Sequence, residues 1–223
     1  MPLRRLVLLG APGSGKGTYG ARLVTALGLP LISLGDLVRA EVKAATPLGD
    51  QIRTVVNSGG LISDADAFSL LKSGLKKNEQ GDAGYILDGF PRTAEQAAML
   101  AALEPSQRPE KAIFVDLRRD HIVSKLAGRR VCSECGKSYN VVSIIDDDEG
   151  YHMPALPPPA ECAEKMVIRE DDDAEVVRAR LATYEAEIEP ILSHYRSTGD
   201  LIHFEVKRGL DDVPRLLKMI EVE

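Results

Sequence analysis

Gly10-Ala11-Pro12-Gly13-Ser14-Gly15-Lys16-Gly17-Thr18 closes a short apolar run, Arg5 to Gly10, and opens a stretch, Thr18 to Leu27, with helical spacing. Strand, glycine-rich turn and helix in that order are the setting of a phosphate-binding loop. Glycines permit a path tight enough for several backbone N–H groups to converge on phosphate oxygens, and the helix N-terminus adds a favourable dipole. Lys16 is placed to reach the distal phosphates of a bound nucleotide, with Gly13, Ser14, Gly15, Gly17 and Thr18 beside it. The general pattern has Ser or Thr directly after the lysine; here Gly17 intervenes before Thr18, which narrows the class of loop.

Outward from the loop, Tyr85 to Leu87, Ala112 to Leu117 and Ile202 to Val206 repeat the pattern of a buried strand. Leu48 to Asn57, Ala65 to Lys77, Asp120 to Ala127 and Ala174 to Tyr195 have helical patterning. This alternation predicts an α/β fold, a parallel sheet with helices on both faces. At 223 residues and 44% hydrophobic content, one domain with insertions is expected, its core built from Leu, Ile, Val and Ala, since aromatics are only 4%. The formal net charge of -6 argues against a nucleic-acid surface, and no apolar run is long enough to span a bilayer. Three cysteines cannot pair completely and no export signal is read, so a reducing compartment such as the cytoplasm is expected; a removed organelle transit peptide would also fit. One segment breaks the rhythm, from about Val131 to Val167, with a CxxC pair, the acidic run Asp146 to Glu149 and Pro157 to Pro159. Its acids and prolines suit a disordered loop, whereas its cysteines argue for local order.

Three further constellations carry charge. Asp88-Gly89-Phe90-Pro91-Arg92-Thr93 with Gln96 follows an apolar strand, at the carboxyl end where open α/β sheets bind ligands. There Asp88 would orient hydrated Mg²⁺, Arg92 would grip phosphate and Gln96 would read a base edge. Within Ser33-Leu34-Gly35-Asp36-Leu37-Val38-Arg39, Arg39 would clamp a second phosphate and Asp36 would join the metal's water shell, although Ser33 or Asp36 also suits a helix cap. Arg129, Arg169 and Arg180 flank or follow the inserted segment. Any one would suit solvated surface, but phosphoryl transfer depends on several cations converging on phosphate oxygens.

With these elements in order, the chain resembles the adenylate kinase family of nucleoside monophosphate kinases over essentially its whole length. Gly10 to Thr18 matches the family's P-loop, Asp88 to Thr93 with Gln96 its acceptor-site signature, Gly128-Arg129-Arg130 the start of its mobile lid, and Arg169-x-Asp171-Asp172 followed by Arg180 the lid's exit. The resemblance implies a P-loop NTPase-like core with a five-stranded parallel sheet, an NMP-binding segment at 33–62 and a lid at 129–167. It implies Mg²⁺-dependent transfer of the terminal phosphoryl group of ATP to AMP, giving two ADP, by a monomer with no nucleic-acid or membrane partner. Lys16, Arg92, Arg129, Arg169 and Arg180 would surround the transferring group. Leu34, Arg39, Ile62, Gly89, Arg92 and Gln96 would hold AMP.

Three departures from the family pattern bear on specificity. Leu34 stands where Thr is common, removing a hydroxyl beside the acceptor base, although Thr93 with Gln96 keeps the AMP-type pattern ahead of UMP or CMP. Lys125 stands where many relatives place an arginine against the donor base, and an ammonium stacks less well than a guanidinium, which would loosen selectivity between ATP and GTP. In the lid, Cys132 and Cys135 match the first half of a metal site and Cys162 its last position, but Pro159 falls on the third and cannot ligate. His152, Glu161 or an acid of Asp146 to Glu149 would have to complete a Zn²⁺ tetrahedron; otherwise the cysteines are reduced and metal-free. A catalytically silent nucleotide-binding scaffold is the alternative from another class, and it would not need the full set of arginines.

Overall fold

A computed structural model describes residues 3–77 and 84–221. The chain begins with β1 (Arg5–Leu9), α1 (Lys16–Leu27), β2 (Leu31–Ser33), α2 (Leu34–Lys43), α3 (Pro47–Asn57) and α4 (Asp64–Lys77). It continues through β3 (Tyr85–Asp88), α5 (Ala94–Ala101), β4 (Lys111–Asp116) and α6 (Arg119–Ala127). An excursion follows, built of β5 (Arg129–Cys132), β6 (Ser138–Asn140), β7 (Ile144–Asp146), β8 (Tyr151–Met153), the single turn α7 (Ala160–Ala163) and β9 (Met166–Val167). The 24-residue α8 (Ala174–Ser197), β10 (Leu201–Glu205) and α9 (Val213–Glu221) complete the fold.

The central sheet is five-stranded and parallel, in the order β10-β4-β1-β3-β2. The central strands β1 and β3 are apolar runs because both faces are covered, whereas the edge strand β10 alternates, with His203 and Glu205 exposed. Leu6 and Leu8 of β1 turn to one core with Ile113, Val115 and Phe204, while Val7 and Leu9 turn to the other with Leu87, Leu71 and Ile191. This two-residue alternation splits one apolar run between two cores. Since β1 lies between β3 and β4, the loop leaving it emerges mid-sheet, at the carboxyl ends where β3 delivers Asp88.

Helix starts follow local chemistry. The Ser33 hydroxyl accepts from the Asp36 N–H and starts α2, Thr46 accepts from the Gly49 N–H before Pro47, and Thr93 accepts from the Gln96 N–H to start α5. The cap suggested for Ser33 is therefore present.

The excursion is ordered by more than its cysteines. β5 pairs antiparallel with β6 and β9, and β7 pairs with β8 as a separate hairpin. Ile144, Tyr151 and Met153 are buried in the same core as Leu6 and Phe204. Tyr151 meets His121 edge-on at 4.3 Å between ring centroids, and the Lys207 ammonium lies 4.0 Å from its ring centre. The local order argued from the cysteines is therefore present, and three apolar side chains spaced along an acidic stretch dock the hairpin as well.

Candidate active site

The loop after β1 keeps its shape through glycine. Gly10 has φ 140°, and a Cβ there would fall 2.4 Å from the Val115 carbonyl oxygen; Gly13 has φ 87°, and a Cβ there would strike Leu126. These contacts seat the loop against β4 and α6. Ser14 is buried and its hydroxyl has no partner among the described residues, a polar group left for a ligand to satisfy.

Lys16 as a whole is half-buried, but its ammonium is enclosed and donates to the carbonyls of Gly10 (2.7 Å) and Ala11 (2.8 Å). Burial lowers its pKa to about 8; Asp88 opposes the shift, while Arg92, Arg180 and Arg129 add to it. Loop lysine, strand-end aspartate and three arginines therefore share one field. Gly17 leaves room between loop and strand, since a Cβ there would lie 3.6 Å from Asp88 Oδ2. Asp88 is half-buried beside this space, suiting a carboxylate that holds the water shell of a phosphate-bound cation.

Three arginines are held by two adjacent carboxylates. Arg169 binds Asp171 bidentately at 2.7 and 2.8 Å, and Arg180 donates to the same carboxylate at 2.7 Å and to the Asp171 carbonyl at 2.9 Å. Arg129 pairs with Asp172, whose side chain is 1% exposed. Burial by itself would raise the Asp171 carboxyl, but Arg180 and Arg169 hold it below its usual range. Burial brings Arg180 down to about 10. Asp171 and Asp172 thus keep three cations together when no phosphate is bound.

On the acceptor side, Arg92 donates from Nε to the Gly89 carbonyl (2.8 Å), with Gly89 at φ 78°, and burial lowers its pKa. Arg39 is exposed and paired with Asp36, so in this state Asp36 holds an arginine. Leu34 is buried and Ile62 half-buried, both against the core beside α2. Gln96 is buried at the start of α5. Lys125 donates to the Val142 carbonyl (3.1 Å), while Asn140 donates to the Lys125 carbonyl (2.7 Å), so this lysine ties α6 to the excursion.

The thiols of Cys132, Cys135 and Cys162 lie within 4.8 Å of one another, and Cys135 and Cys162 approach to 3.7 Å. The backbone N–H of Cys135 helps hold the Cys132 thiol down to about 7. His152, Glu161 and the acids of 146–149 do not join the cluster, which corrects the search for a fourth ligand among them. His152 lies on the docked hairpin, and Glu149 pairs instead with Arg118. The Tyr139 hydroxyl also approaches the cluster, 3.9 Å from Cys162 Sγ.

Three acids beside the expected residues were not assigned roles from sequence: Asp64, Asp171 and Asp172. The signal for the last two was their place two and three residues after Arg169; Asp64 looks like an ordinary first-turn helix acid.

Sheet order, loop geometry and clustered cations define a P-loop NTPase-like phosphotransferase. A family model described as adenylate kinase matches residues 8–202. The chain is 42% identical to probable adenylate kinase 1, chloroplastic, of Oryza sativa subsp. japonica, over 97% of this chain and 75% of that protein. It is 41% identical to an adenylate kinase of Solanum tuberosum, covering 97% and 76%. The adenylate kinase of Thermodesulfovibrio yellowstonii is 37% identical, covering 94% of each chain. The chain belongs to the adenylate kinase family and is a nucleoside monophosphate kinase.

Proposed function

We propose that the protein reversibly transfers the terminal phosphoryl group of ATP to AMP, giving two ADP. The observation that carries this is a glycine-shaped loop holding Lys16 and the unpartnered Ser14 hydroxyl, together with Arg129, Arg169 and Arg180 gathered on the adjacent Asp171 and Asp172. A phosphate oxygen of AMP forms the new P–O bond as the bond to the β-phosphate bridging oxygen breaks, with the two in line. Charge then spreads over the equatorial oxygens, where preorganised cations stabilise it most. Lys16 would hold the donor phosphates, Arg39 and Arg92 the acceptor phosphate, and Arg129, Arg169 and Arg180 the group in flight. On binding, phosphate oxygens would replace Asp171 and Asp172 as partners of those arginines. Asp88 and Asp36 would hold the water shell of the Mg²⁺ that accompanies the nucleotide, and that ion would supply further neutralisation of phosphate charge.

We read 33–62 as the acceptor-binding segment and 129–167 as a lid that excludes water when both substrates are bound. The three thiols fit three corners of a structural Zn²⁺ tetrahedron, and among the described residues no histidine or acid joins them as a fourth ligand. A reducing compartment suits that site, the cytoplasm or an organelle such as the one named for the plant relatives.

Turnover over a panel of AMP, UMP and CMP with ATP or GTP tests the reading. AMP with ATP is expected to exceed each pyrimidine acceptor in kcat/KM by about 100-fold or more. Equal use of UMP would replace AMP as the acceptor, and no turnover with any pair would support a silent scaffold.

A further inference from the structure

Asp64 opens α4, just beyond the segment read as acceptor-binding, yet its carboxylate is tied to the start of α5. Its Oδ1 accepts from the Gln96 side-chain Nε2 at 2.8 Å and from the Thr93 hydroxyl at 3.0 Å. On its other side the Gln96 amide accepts, through Oε1, from the Arg92 backbone N–H at 2.7 Å. These contacts leave no ambiguity about which end of the amide is which. A carboxylate only accepts and a backbone N–H only donates, so a flipped amide would set oxygen against oxygen at Asp64 and N–H against N–H at Arg92. Gln96 is 1% exposed, so water cannot compensate either mismatch.

We infer that Asp64 is a positioning residue that sets acceptor-base choice by fixing the orientation of the Gln96 amide. The inference rests on the reading that Gln96 meets the acceptor base. With its orientation fixed, Gln96 keeps one Nε2 hydrogen and one Oε1 lone pair for a ligand. That donor and acceptor match a 6-aminopurine edge, whose N1 accepts and whose N6 donates. A 6-oxopurine presents the reverse, an N1–H donor and an O6 acceptor. Matching it in the same register would need the flipped amide that Asp64 and Arg92 forbid. The carboxylate thereby converts an ambivalent glutamine into a selective one without touching substrate.

The test compares kcat/KM for AMP and IMP in wild type and in Asp64→Ala, Asp64→Asn and Gln96→Met, with thermal midpoints for each. Asp64→Ala is expected to raise KM for AMP about tenfold with kcat within about twofold, and to cut AMP-over-IMP preference about tenfold. Asp64→Asn keeps an acceptor oxygen in place and is expected to stay within about threefold of wild-type preference. If both variants lose preference equally, negative charge at the helix start is what matters and the positioning role is overturned. An unchanged preference in Asp64→Ala, with Gln96→Met losing it, overturns Asp64 alone. An unchanged preference in Gln96→Met removes the base-reading role of Gln96 and Asp64's role with it. Should Asp64→Ala not fold, loss of preference in Asp64→Asn would count against the inference by itself.

Discussion

Residues 10–18 and residues 129–172 both carry cations of the proposed phosphate site, but they are built differently. The loop is shaped by backbone: left-handed glycines press it against Val115 and Leu126, and Lys16 bonds to the main-chain carbonyls of Gly10 and Ala11. The excursion and its exit are held by side chains: guanidinium–carboxylate pairs at Asp171 and Asp172, three thiols, and the apolar anchors Ile144, Tyr151 and Met153. In the loop the backbone can stay in place and only Lys16 must exchange its carbonyl partners when phosphate arrives, whereas three paired arginines must exchange carboxylate for phosphate. The first arrangement suits a fixed site and the second a moving one.

The sharpest way to break this contrast is at Lys16. Lys16→Ala should lower kcat/KM by about 10³-fold or more, because no other side chain of the loop carries charge, while the fold persists. The same variant has a stability signature. The lysine holds its proton to pH 10.5 when unfolded but loses it near pH 8 in the ligand-free native state, so between those values the unfolded chain binds more protons and stability rises with pH. Wild type should gain roughly 2 kcal/mol between pH 8 and 10 relative to Lys16→Ala in chemical denaturation. Parallel pH profiles for the two proteins would mean that the ammonium is not desolvated. Near-normal turnover would remove Lys16 from the phosphate site.

The excursion proposed as a lid should fail locally. In a zinc-loaded preparation, chelation or Cys132→Ser with Cys162→Ser should expose 129–167 to protease before the core unfolds and reduce kcat about tenfold, since a loosened lid no longer delivers Arg129 and Arg169. Absence of metal, with neither protease sensitivity nor activity changed by the serines, would leave the docked hairpin as the source of order and the cysteines as relicts.

What could be read from the sequence follows the same division. The loop was legible because its function is written in backbone requirements, and only glycine meets them at fixed spacing. The sheet's long apolar strands were legible for the same local reason. β2 was not, because three residues between Pro30 and a helix cap carry too little periodicity. The hairpin was missed because Ile144, Tyr151 and Met153 bury themselves against distant partners, which no local pattern records. The roles of Asp64, Asp171 and Asp172 depend on which donors folding brings to them. Arginines in a motif announce charge, but the carboxylates that position them look like ordinary surface acids.

The smallest expected effect lies between the two regions, at Leu34. Its departure from the family's hydroxyl suggested a change in base contact, and the structure adds a second consequence. Leu34 is 3% exposed and packs in the core with Val38, Ile52 and Phe90. Leu34→Thr therefore removes apolar burial as well as restoring a hydroxyl, and should cost about 1–2 kcal/mol of stability. Its kinetic effect should be about threefold, in KM for AMP and not in kcat, because a contact beside the base exists equally in ground and transition states. Substitution at a phosphate ligand would instead lower kcat and kcat/KM together. Equal losses in Leu34→Thr would show that burial at the start of α2 transmits to Arg39 five residues on, making this leucine part of the proposed phosphate clamp's support and not a determinant of base choice.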